Sequence, residues 1–235
     1  MIRDDLHYGT AKWRVKISHL TEQGFDIEGI IHVGANNGEE LPWYREMGIY
    51  HLVAFEPLDG IFEKLESDYP SVHCFKLALG NEDNDQKILN IASGDAKGSS
   101  VFFPDLTHPE VTERWKHGQD RMVGTQVMKM RKFSTWAKEH PEIDLSNYDT
   151  IVMDTQGNEM EVLLGMEEYL QHFKFLSLEL SYKPVYFGET SGEEVSDWLD
   201  EHGFIRDSPI FSHNDVFFIR KNIKSVSDRL YRGLA

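Results

Sequence analysis

Short apolar runs alternate along the chain with segments in which apolar residues recur at helical spacing. The runs at residues 30–33, 50–55 and 72–79 contain β-branched or aromatic residues and end in turn-forming residues. Amphipathic segments at 41–47 and 58–69 separate them and predict helices. Strands that alternate with helices over short connections predict a parallel sheet with crossover helices.

The same alternation returns in the second half of the chain. Further strands of the sheet are predicted at 150–153, 173–180, 203–206 and 215–220, with helices at 159–170 and 193–201. The short link between the last two strands predicts an antiparallel pair at the far end of the sheet. Partial alternation predicts two added strands, at 87–92 and 121–130, on either side of an irregular segment, with a short helix at 133–140 after the second.

The length of 235 residues fits one sizeable α/β domain. We expect one main domain at 27–220, preceded by an N-terminal helical cap at 1–26 and followed by a C-terminal helix at 221–235. Apolar residues at helical spacing, with basic residues between them, mark both terminal segments.

Charge and composition narrow the classes of partner. Asp and Glu number 40 against 24 Lys and Arg, a net charge of −16, which repels a phosphate backbone, so no nucleic-acid partner is expected. Cys74 is the only cysteine, which fits a reducing compartment. The apolar runs are all shorter than a membrane span requires, and the N-terminus lacks the pattern of a secretion signal. We therefore expect a cytoplasmic protein; the sequence carries no signal for an oligomeric state.

A glycine turn follows the first strand and marks a candidate ligand site. Gly34 and Gly38 punctuate a loop that turns tightly, and Glu39 and Glu40 are predicted in the first turn of the next helix. The spacing is G-x-x-x-G, not the G-x-G-x-x-G of dinucleotide sites. The two acids disfavour an anionic phosphate at this helix end and suit an ammonium or sulfonium group. An ordinary strand-to-helix turn is the alternative.

Single carboxylates follow the later strands. Glu56 comes 18 residues after Gly38, close to the spacing at which an acid accepts hydrogen bonds from ribose hydroxyls. Asp154 and Glu179 end the fourth and fifth strands, so we expect three acids to face one crevice. There a carboxylate with a raised pKa can act as a general base, or Asp154 can contact a bound cofactor. Helix-capping or turn roles are the alternative for each acid.

Clustered acids together with His32 or His213 also raise the question of a metal ion. The histidines lack the i, i+4 spacing of H-E-x-x-H, and the acids form no regular series of ligands. We therefore predict no metal site. A histidine inside a strand, such as His32, is more often a hydrogen-bonded core residue than a ligand.

Six short motifs follow one another along the chain. They are IHVGANNGEE at 31–40, FEP at 55–57, ALGN at 78–81, SS at 99–100, DTQGNE at 154–159 and VLLG at 162–165. In this order they resemble the FkbM family of S-adenosylmethionine-dependent methyltransferases. The match covers about 27–205. The D-x-Q-G-x-E segment is its most specific piece.

The resemblance implies a fold and an activity. The fold would be the class I methyltransferase fold, a Rossmann-like α/β fold whose seven-stranded, mostly parallel sheet has helices on both faces and strand order 3-2-1-4-5-7-6. The activity would use S-adenosyl-L-methionine, most often for O-methylation of a hydroxyl on a sugar, glycan or polyketide-type natural product. The partner would then be a small-molecule or glycan acceptor. N-methylation of a peptide side chain or amine, and a non-catalytic nucleoside-binding protein, are the alternatives.

Cofactor contacts follow position by position from the resemblance. The methionine part would be wrapped by Gly34, Ala35, Asn36, Gly38 and Glu39, the ribose bound by Glu56 beside Pro57, and the adenine flanked by Leu79 and Asn81. Asp154 would contact the cofactor from the fourth strand. Many members have an acid where this chain has His32, so we expect Glu39 or Glu40 to bind the methionine ammonium group.

The methyl-transfer end would be formed by the most specific motif. Asp154, Gln156 and Glu159 would lie there, with Asp154 or Glu159 removing the proton of the acceptor hydroxyl. Candidate contacts with the acceptor itself are Ser99, Ser100, Glu179 and Tyr186.

Overall fold

Buried apolar runs form the strands of a computed structural model that describes residues 25–94, 96–107, 121–211 and 213–223. Ten strands occur in this part of the chain: β1 (Gly29–Val33), β2 (His51–Phe55), β3 (His73–Phe75), β4 (Ala78–Leu79), β5 (Asn84–Ala92), β6 (Met122–Arg131), β7 (Thr150–Met153), β8 (Phe175–Leu180), β9 (Phe204–Arg206) and β10 (Asn214–Arg220). The α-helices are α1 (Leu41–Glu46), α2 (Ile61–Asp68), α3 (Phe133–Glu139), α4 (Glu159–Met166) and α5 (Gly192–Glu201), with 3₁₀ turns at Leu145–Asn147 and Glu167–His172.

Seven strands form the main sheet in the order β3-β2-β1-β7-β8-β10-β9. The first five strands of this series, from β3 to β8 in spatial order, run parallel to one another. β10 runs antiparallel to both β8 and β9. Numbered within this sheet alone, the order is 3-2-1-4-5-7-6, which confirms the predicted topology. The chain leads from β1 to its neighbour β2 on one side and from β7 to its neighbour β8 on the other side. A crevice opens at the carboxyl ends of β1 and β7, where these two connections run in opposite directions.

Alternate residues of β1 face two separate apolar layers. Ile31 and Val33 pack into a cluster that includes Trp136 of α3, whereas Ile30 packs into a second cluster with Tyr44 of α1 and Leu65 of α2. Helices therefore cover both faces of the sheet, as predicted. This double burial explains why the central strands are continuous apolar runs.

The run at 72–79 is not one strand, contrary to the sequence prediction. β3 ends at Phe75, whose carbonyl oxygen accepts a hydrogen bond from the Leu77 N–H at 3.0 Å. The chain then leaves the main sheet, and β4 pairs in parallel with β6. β4, β6 and β5 form a second sheet of three strands, in that order, which includes both predicted added strands.

Two other boundaries differ from the predictions. β5 begins at Asn84, within the polar segment 80–85 and three residues before the strand predicted at 87–92. Acids of this segment bind the end of β6, because Asp83 accepts a hydrogen bond from the Lys132 N–H at 2.9 Å and Asp85 accepts one from Arg131 at 2.6 Å. Helix α1 begins at Leu41 with Glu40 as its N-cap, so Glu39 and Glu40 precede the first turn in which they were predicted.

The terminal predictions lie largely outside the described residues. The N-terminal cap at 1–26 is described only from Phe25, whose ring packs on Phe175 with centroids 5.4 Å apart. The C-terminal helix at 221–235 is described only to Ile223, and both helices remain predictions. None of the described helices has the length and apolarity that crossing a bilayer requires.

Candidate active site

A cavity of about 550 Å³ opens at the carboxyl edge of the main sheet. Its size is that of a small-molecule site. Its wall includes residues 32–37, 39–40, 55–58, 77–79, 96–99, 152–156, 179 and 213–215. The tips of β1, β2, β7 and β8 thus meet at one cavity, where the sequence predicts the ligand.

The glycine turn brings the tips of β1 and β7 together. Gly34 has φ +81°, and a Cβ atom at this position would overlap the carbonyl oxygen of Asp154. The N–H groups of Gly34 and Ala35 both donate to the carbonyl oxygen of Phe55 at 3.0 Å, which anchors the turn on β2. Gly38 has φ +76° but faces away from the cavity, where a Cβ would lie 2.7 Å from the Tyr69 ring. Gly34 therefore shapes the cavity, and Gly38 permits packing against α2.

Glu56 links the turn to the second strand. Its carboxylate accepts hydrogen bonds from the N–H of Asn36 at 2.9 Å and from the N–H of Leu58 at 2.8 Å. The side chain is only 4% exposed, and burial raises its pKa to about 7 although both hydrogen bonds oppose the shift. A carboxylate offers roughly four acceptor positions, so Glu56 can bind further hydroxyl donors.

Gln156 holds two carboxyl groups together at the other end of the cavity. Its Nε2 donates to Asp154 Oδ1 at 2.7 Å and to Glu179 Oε2 at 2.5 Å. Desolvation and, second, the charge of Glu179 raise the pKa of Asp154 well above its usual value. The Asp154 side chain is exposed at the cavity surface, and the surrounding walls limit its solvation. A carboxyl–carboxylate pair at this point can therefore share one proton.

Ser100 and Tyr186 support Gln156 from behind the cavity wall. The Ser100 hydroxyl donates to the Gln156 carbonyl oxygen at 2.6 Å, and the Tyr186 hydroxyl donates to Gln156 Oε1 at 2.9 Å. Gln156 itself has φ +55°, a conformation that non-glycine residues adopt rarely. These contacts fix the amide in its bridging position.

Glu159 lies behind the wall as well. It is 3% exposed, and its carboxylate accepts hydrogen bonds from the N–H and the hydroxyl of Thr155, both at 2.8 Å. Burial raises its pKa to about 7. The neighbouring Asn158 donates to the carbonyl oxygen of Leu79 at 3.1 Å and so ties α4 to β4. Glu159 therefore organises the cavity without forming its surface, whereas Asn158 also lines the cavity.

The acids before α1 differ in their surroundings. Glu39 is exposed and pairs with Lys97 at 2.9 Å, whereas Glu40 is half-buried. Desolvation, the largest cause, raises the pKa of Glu40 to about 7, with a further contribution from Asp154. His32 is buried 3.3 Å from the Tyr44 hydroxyl, and burial lowers its pKa to about 4, so it is neutral. Glu40 thus provides a carboxyl group at the cavity, whereas the neutral His32 provides no charge there.

The predicted residues divide into a lining set and a supporting set. Those on the cavity surface are Gly34, Ala35, Asn36, Glu39, Glu56, Pro57, Leu79, Ser99, Asp154, Gln156 and Glu179. Those outside it are Gly38, Asn81, Ser100, Glu159 and Tyr186, of which Asn81 is exposed on the surface. Among the described residues, no group of acids, histidines and cysteines has the geometry of a metal site.

His213 and the first two residues of β10 form a part of the cavity wall that the sequence analysis did not predict. His213 was considered only as a metal ligand, and Asp215 was not singled out, yet both line the cavity with Asn214. Asp215 pairs with Glu179 across the antiparallel strands β10 and β8. Four described non-glycine residues have positive φ, namely Asn36, Ala96, Gln156 and His213, and all four line the cavity.

Residues 32–206 match the model of the family described as the methyltransferase FkbM domain. The chain belongs to this family. The match covers more than half of the chain and confirms the resemblance that its motifs predict. The protein is therefore an S-adenosylmethionine-dependent methyltransferase with the Rossmann-like α/β fold of that class.

Solved structures with a similar arrangement share few residues with this chain. Magnesium protoporphyrin IX methyltransferase from Synechocystis PCC 6803 with bound S-adenosylmethionine has 8% identity, covers 89% of this chain and 78% of its own, and has a TM-score of 0.45. Human methyltransferase 10 domain containing protein has 12% identity, 95% and 88% coverage and a TM-score of 0.45. The Burkholderia thailandensis 1,6-didemethyltoxoflavin-N1-methyltransferase has 10% identity, 91% and 82% coverage and a TM-score of 0.42. No curated protein matches the chain.

The chemistry of the wall fits this cofactor. The Asn37 side-chain oxygen is buried, with no hydrogen-bond partner among the described residues, and Asn37 lines the cavity next to the half-buried Glu40. Oxygen acceptors of this kind suit an ammonium group. Leu58, Leu79 and Met128 supply a separate apolar wall for a flat ring.

Proposed function

We propose that this methyltransferase methylates a hydroxyl oxygen of a small-molecule or glycan acceptor. The observation that carries the proposal is the Asp154–Gln156–Glu179 arrangement, in which two carboxyl groups and an amide line one end of the cavity. Such groups can both accept from and donate to hydroxyls, which orients a polyol-type acceptor.

The cofactor would lie along the opposite part of the cavity. Glu56 would bind the ribose hydroxyls, because its buried carboxylate already points at the glycine turn through Asn36. Glu40 and Asn37 would bind the methionine ammonium group, and the apolar wall around Leu79 would cover the adenine. In these assignments Glu40 provides the negative charge that an acid at the position of His32 would provide.

Positioning accounts for much of the expected rate. S-adenosylmethionine, when bound, supplies a methyl group on a sulfonium centre for in-line displacement. Asp154 and Glu179 would align the acceptor hydroxyl with that methyl group. In well-oriented systems such alignment lowers the activation barrier by about 7 kcal/mol or more. For the buried Glu159, whose oxygen is occupied by Thr155, we propose a structural role.

An amine acceptor is the second candidate, and the acidic wall favours it. Asp154, Glu179 and Asp215 line the cavity, whose surface carries Lys97 as its one lysine and no arginine among the described residues. An acidic wall attracts a cationic amine and repels a phosphate group. The same feature supports a small acceptor over a nucleic acid.

Product analysis tests the proposal. We would incubate the purified protein with methyl-tritiated S-adenosylmethionine and fractions of a cell extract, and then determine by mass spectrometry and NMR which atom of the labelled product carries the methyl group. A methyl ether is the expected product. A methylated nitrogen would contradict the proposal and support the amine candidate.

Variants connect the product to this cavity. Asp154→Ala should lower the rate of acceptor methylation by about 100-fold or more, because it removes an orienting group. Asp197→Ala, an exposed aspartate on α5, is the matched control and should behave like the wild type. Equal rates for the two variants would place the acceptor elsewhere.

A further inference from the structure

We propose that His213 takes the proton from the acceptor hydroxyl and that Glu179 is the residue that positions and stabilises its charged form. The inference rests on the proposed function, because it requires an acceptor that loses a proton. His213 lies outside residues 32–206, the part of the chain that matches the family, so family membership does not assign it this role.

The backbone holds His213 in an unusual conformation at the cavity. Its φ is +44°, in the left-handed region, and its N–H donates to the Ser181 hydroxyl at 3.1 Å. The next residue, Asn214, closes the turn by accepting a hydrogen bond from the Phe211 N–H at 2.6 Å. Conformations of this type cost free energy and concentrate at functional sites. The turn therefore places this imidazole on the cavity wall at an energetic cost.

Carboxyl groups face the imidazole from several elements. His213 Nδ1 lies 3.7 Å from Glu179 Oε2, an ion-pair distance for the protonated ring, and the two side chains are 23% and 20% exposed. Asp154 at the tip of β7 and Asp215 at the start of β10 line the same cavity. The Tyr186 ring meets the imidazole edge-on, with centroids 6.3 Å apart. Negative charge on this side stabilises the imidazolium form.

The other candidate bases are less suited to the task. Burial and the charge of Glu179 raise the pKa of Asp154 well above its usual value, and its Oδ1 already accepts a hydrogen bond from Gln156 Nε2 at 2.7 Å. Glu159 is behind the wall, and burial lowers the pKa of His32 to about 4, which makes that ring a weak base. An imidazole at the cavity surface is the group best matched to removing a hydroxyl proton near neutral pH.

Atoms and charge balance in the proposed step. The acceptor O–H bond breaks and its proton bonds to His213 Nε2, while the oxygen forms a bond to the methyl carbon. The sulfur–methyl bond breaks and its electron pair stays on sulfur. Positive charge thus moves from the sulfonium to the imidazolium beside Glu179, and the proton later leaves to water.

Turnover of His213 variants tests the assignment. His213→Asn keeps a residue that tolerates the left-handed conformation, so the fold should persist. With the acceptor identified by the product analysis, the kcat of His213→Asn should fall by about 100-fold or more. The affinity of this variant for S-adenosylmethionine should stay within about threefold of the wild type. His73→Gln, an exposed histidine on β3, is the control and should keep full activity. A kcat for His213→Asn within about threefold of the wild type would overturn the proposal.

Chemical rescue separates a catalytic from a structural role. His213→Gly leaves space and permits positive φ, so added imidazole should restore part of the turnover. Failure of imidazole to raise a low turnover in a folded variant would count against proton transfer. Failure of the wild type to produce a methyl ether would instead defeat the proposed function, so the two failures are distinguishable.

A titration tests the role of Glu179 without any acceptor. The His213 imidazole, followed by NMR against pH, should titrate about one pH unit lower in Glu179→Gln than in the wild type, because the variant loses the stabilising charge. An unchanged titration would exclude the positioning role of Glu179.

Discussion

Gly34 lies against the carbonyl oxygen of Asp154 with no space for a side chain between them. This approach joins the tips of β1 and β7 and fixes the base of the cavity. Gly34→Ala should therefore destabilise the fold by about 3 kcal/mol or more, because it combines backbone strain with a steric overlap. Urea denaturation measures the loss.

A second glycine separates the two causes. Gly48 has φ +83° but no atom within 4 Å of a Cβ built on it, so Gly48→Ala should cost only the conformational strain, about 1–2 kcal/mol. Equal losses for Gly34→Ala and Gly48→Ala would show that the approach to Asp154 is not tight.

Buried Glu159 should make stability depend on pH. Its pKa is about 7 in the folded protein and 4.5 as the ordinary value, so the folded state binds more protons between these values, and stability falls as pH rises through them. The contribution is at most about 1.4 kcal/mol per pH unit. The lowered pKa of His32 makes stability change with pH in the opposite direction. The effect of Glu159 is therefore measured as a difference between the wild type and a Glu159 variant.

Glu159→Gln provides that comparison. The difference in the free energy of unfolding between the variant and the wild type should shift in favour of the variant as pH rises from about 5 to about 7. The matched control is Glu66→Gln, an exposed residue of α2, which should show no such trend. A pH-independent difference for Glu159→Gln would contradict the burial of a titrating carboxyl group.

Glu40 should control affinity for the cofactor. Its pKa of about 7 falls when a cation binds beside it, so affinity for S-adenosylmethionine should rise as pH increases from about 6 to about 7.5. Glu40→Gln should weaken binding by about tenfold and flatten this rise. Glu39→Gln should have a smaller effect, because Glu39 is exposed and paired with Lys97. Isothermal titration calorimetry at several pH values gives both quantities, and a larger effect of Glu39 would reverse the assignment.

The main sheet was predictable because its strands are buried on both faces and stand out as apolar runs. The second sheet was harder to predict. Ile88, Val123 and Val127 are exposed apolar residues, which weakens the alternation of β5 and β6. The split of 72–79 was not predicted, because apolar residues continue on both sides of Lys76 while the chain moves from one sheet to the other.

The strand-tip acids were predictable for a related reason. Parallel strands place their carboxyl ends at one edge, so Glu56, Asp154 and Glu179 line the same cavity. His213 reaches that edge immediately before the antiparallel strand β10, and no motif in the sequence marks it as part of the site. The sequence also cannot separate a lining residue from a supporting one, as Tyr186 behind Gln156 shows.

A crystal structure of the complex with S-adenosylhomocysteine tests the central claim most directly. The account predicts that the nucleoside occupies the cavity and that its ribose hydroxyls lie about 2.6–3.2 Å from the carboxylate of Glu56. A nucleoside bound elsewhere, or a ribose that makes no contact with Glu56, would contradict the account.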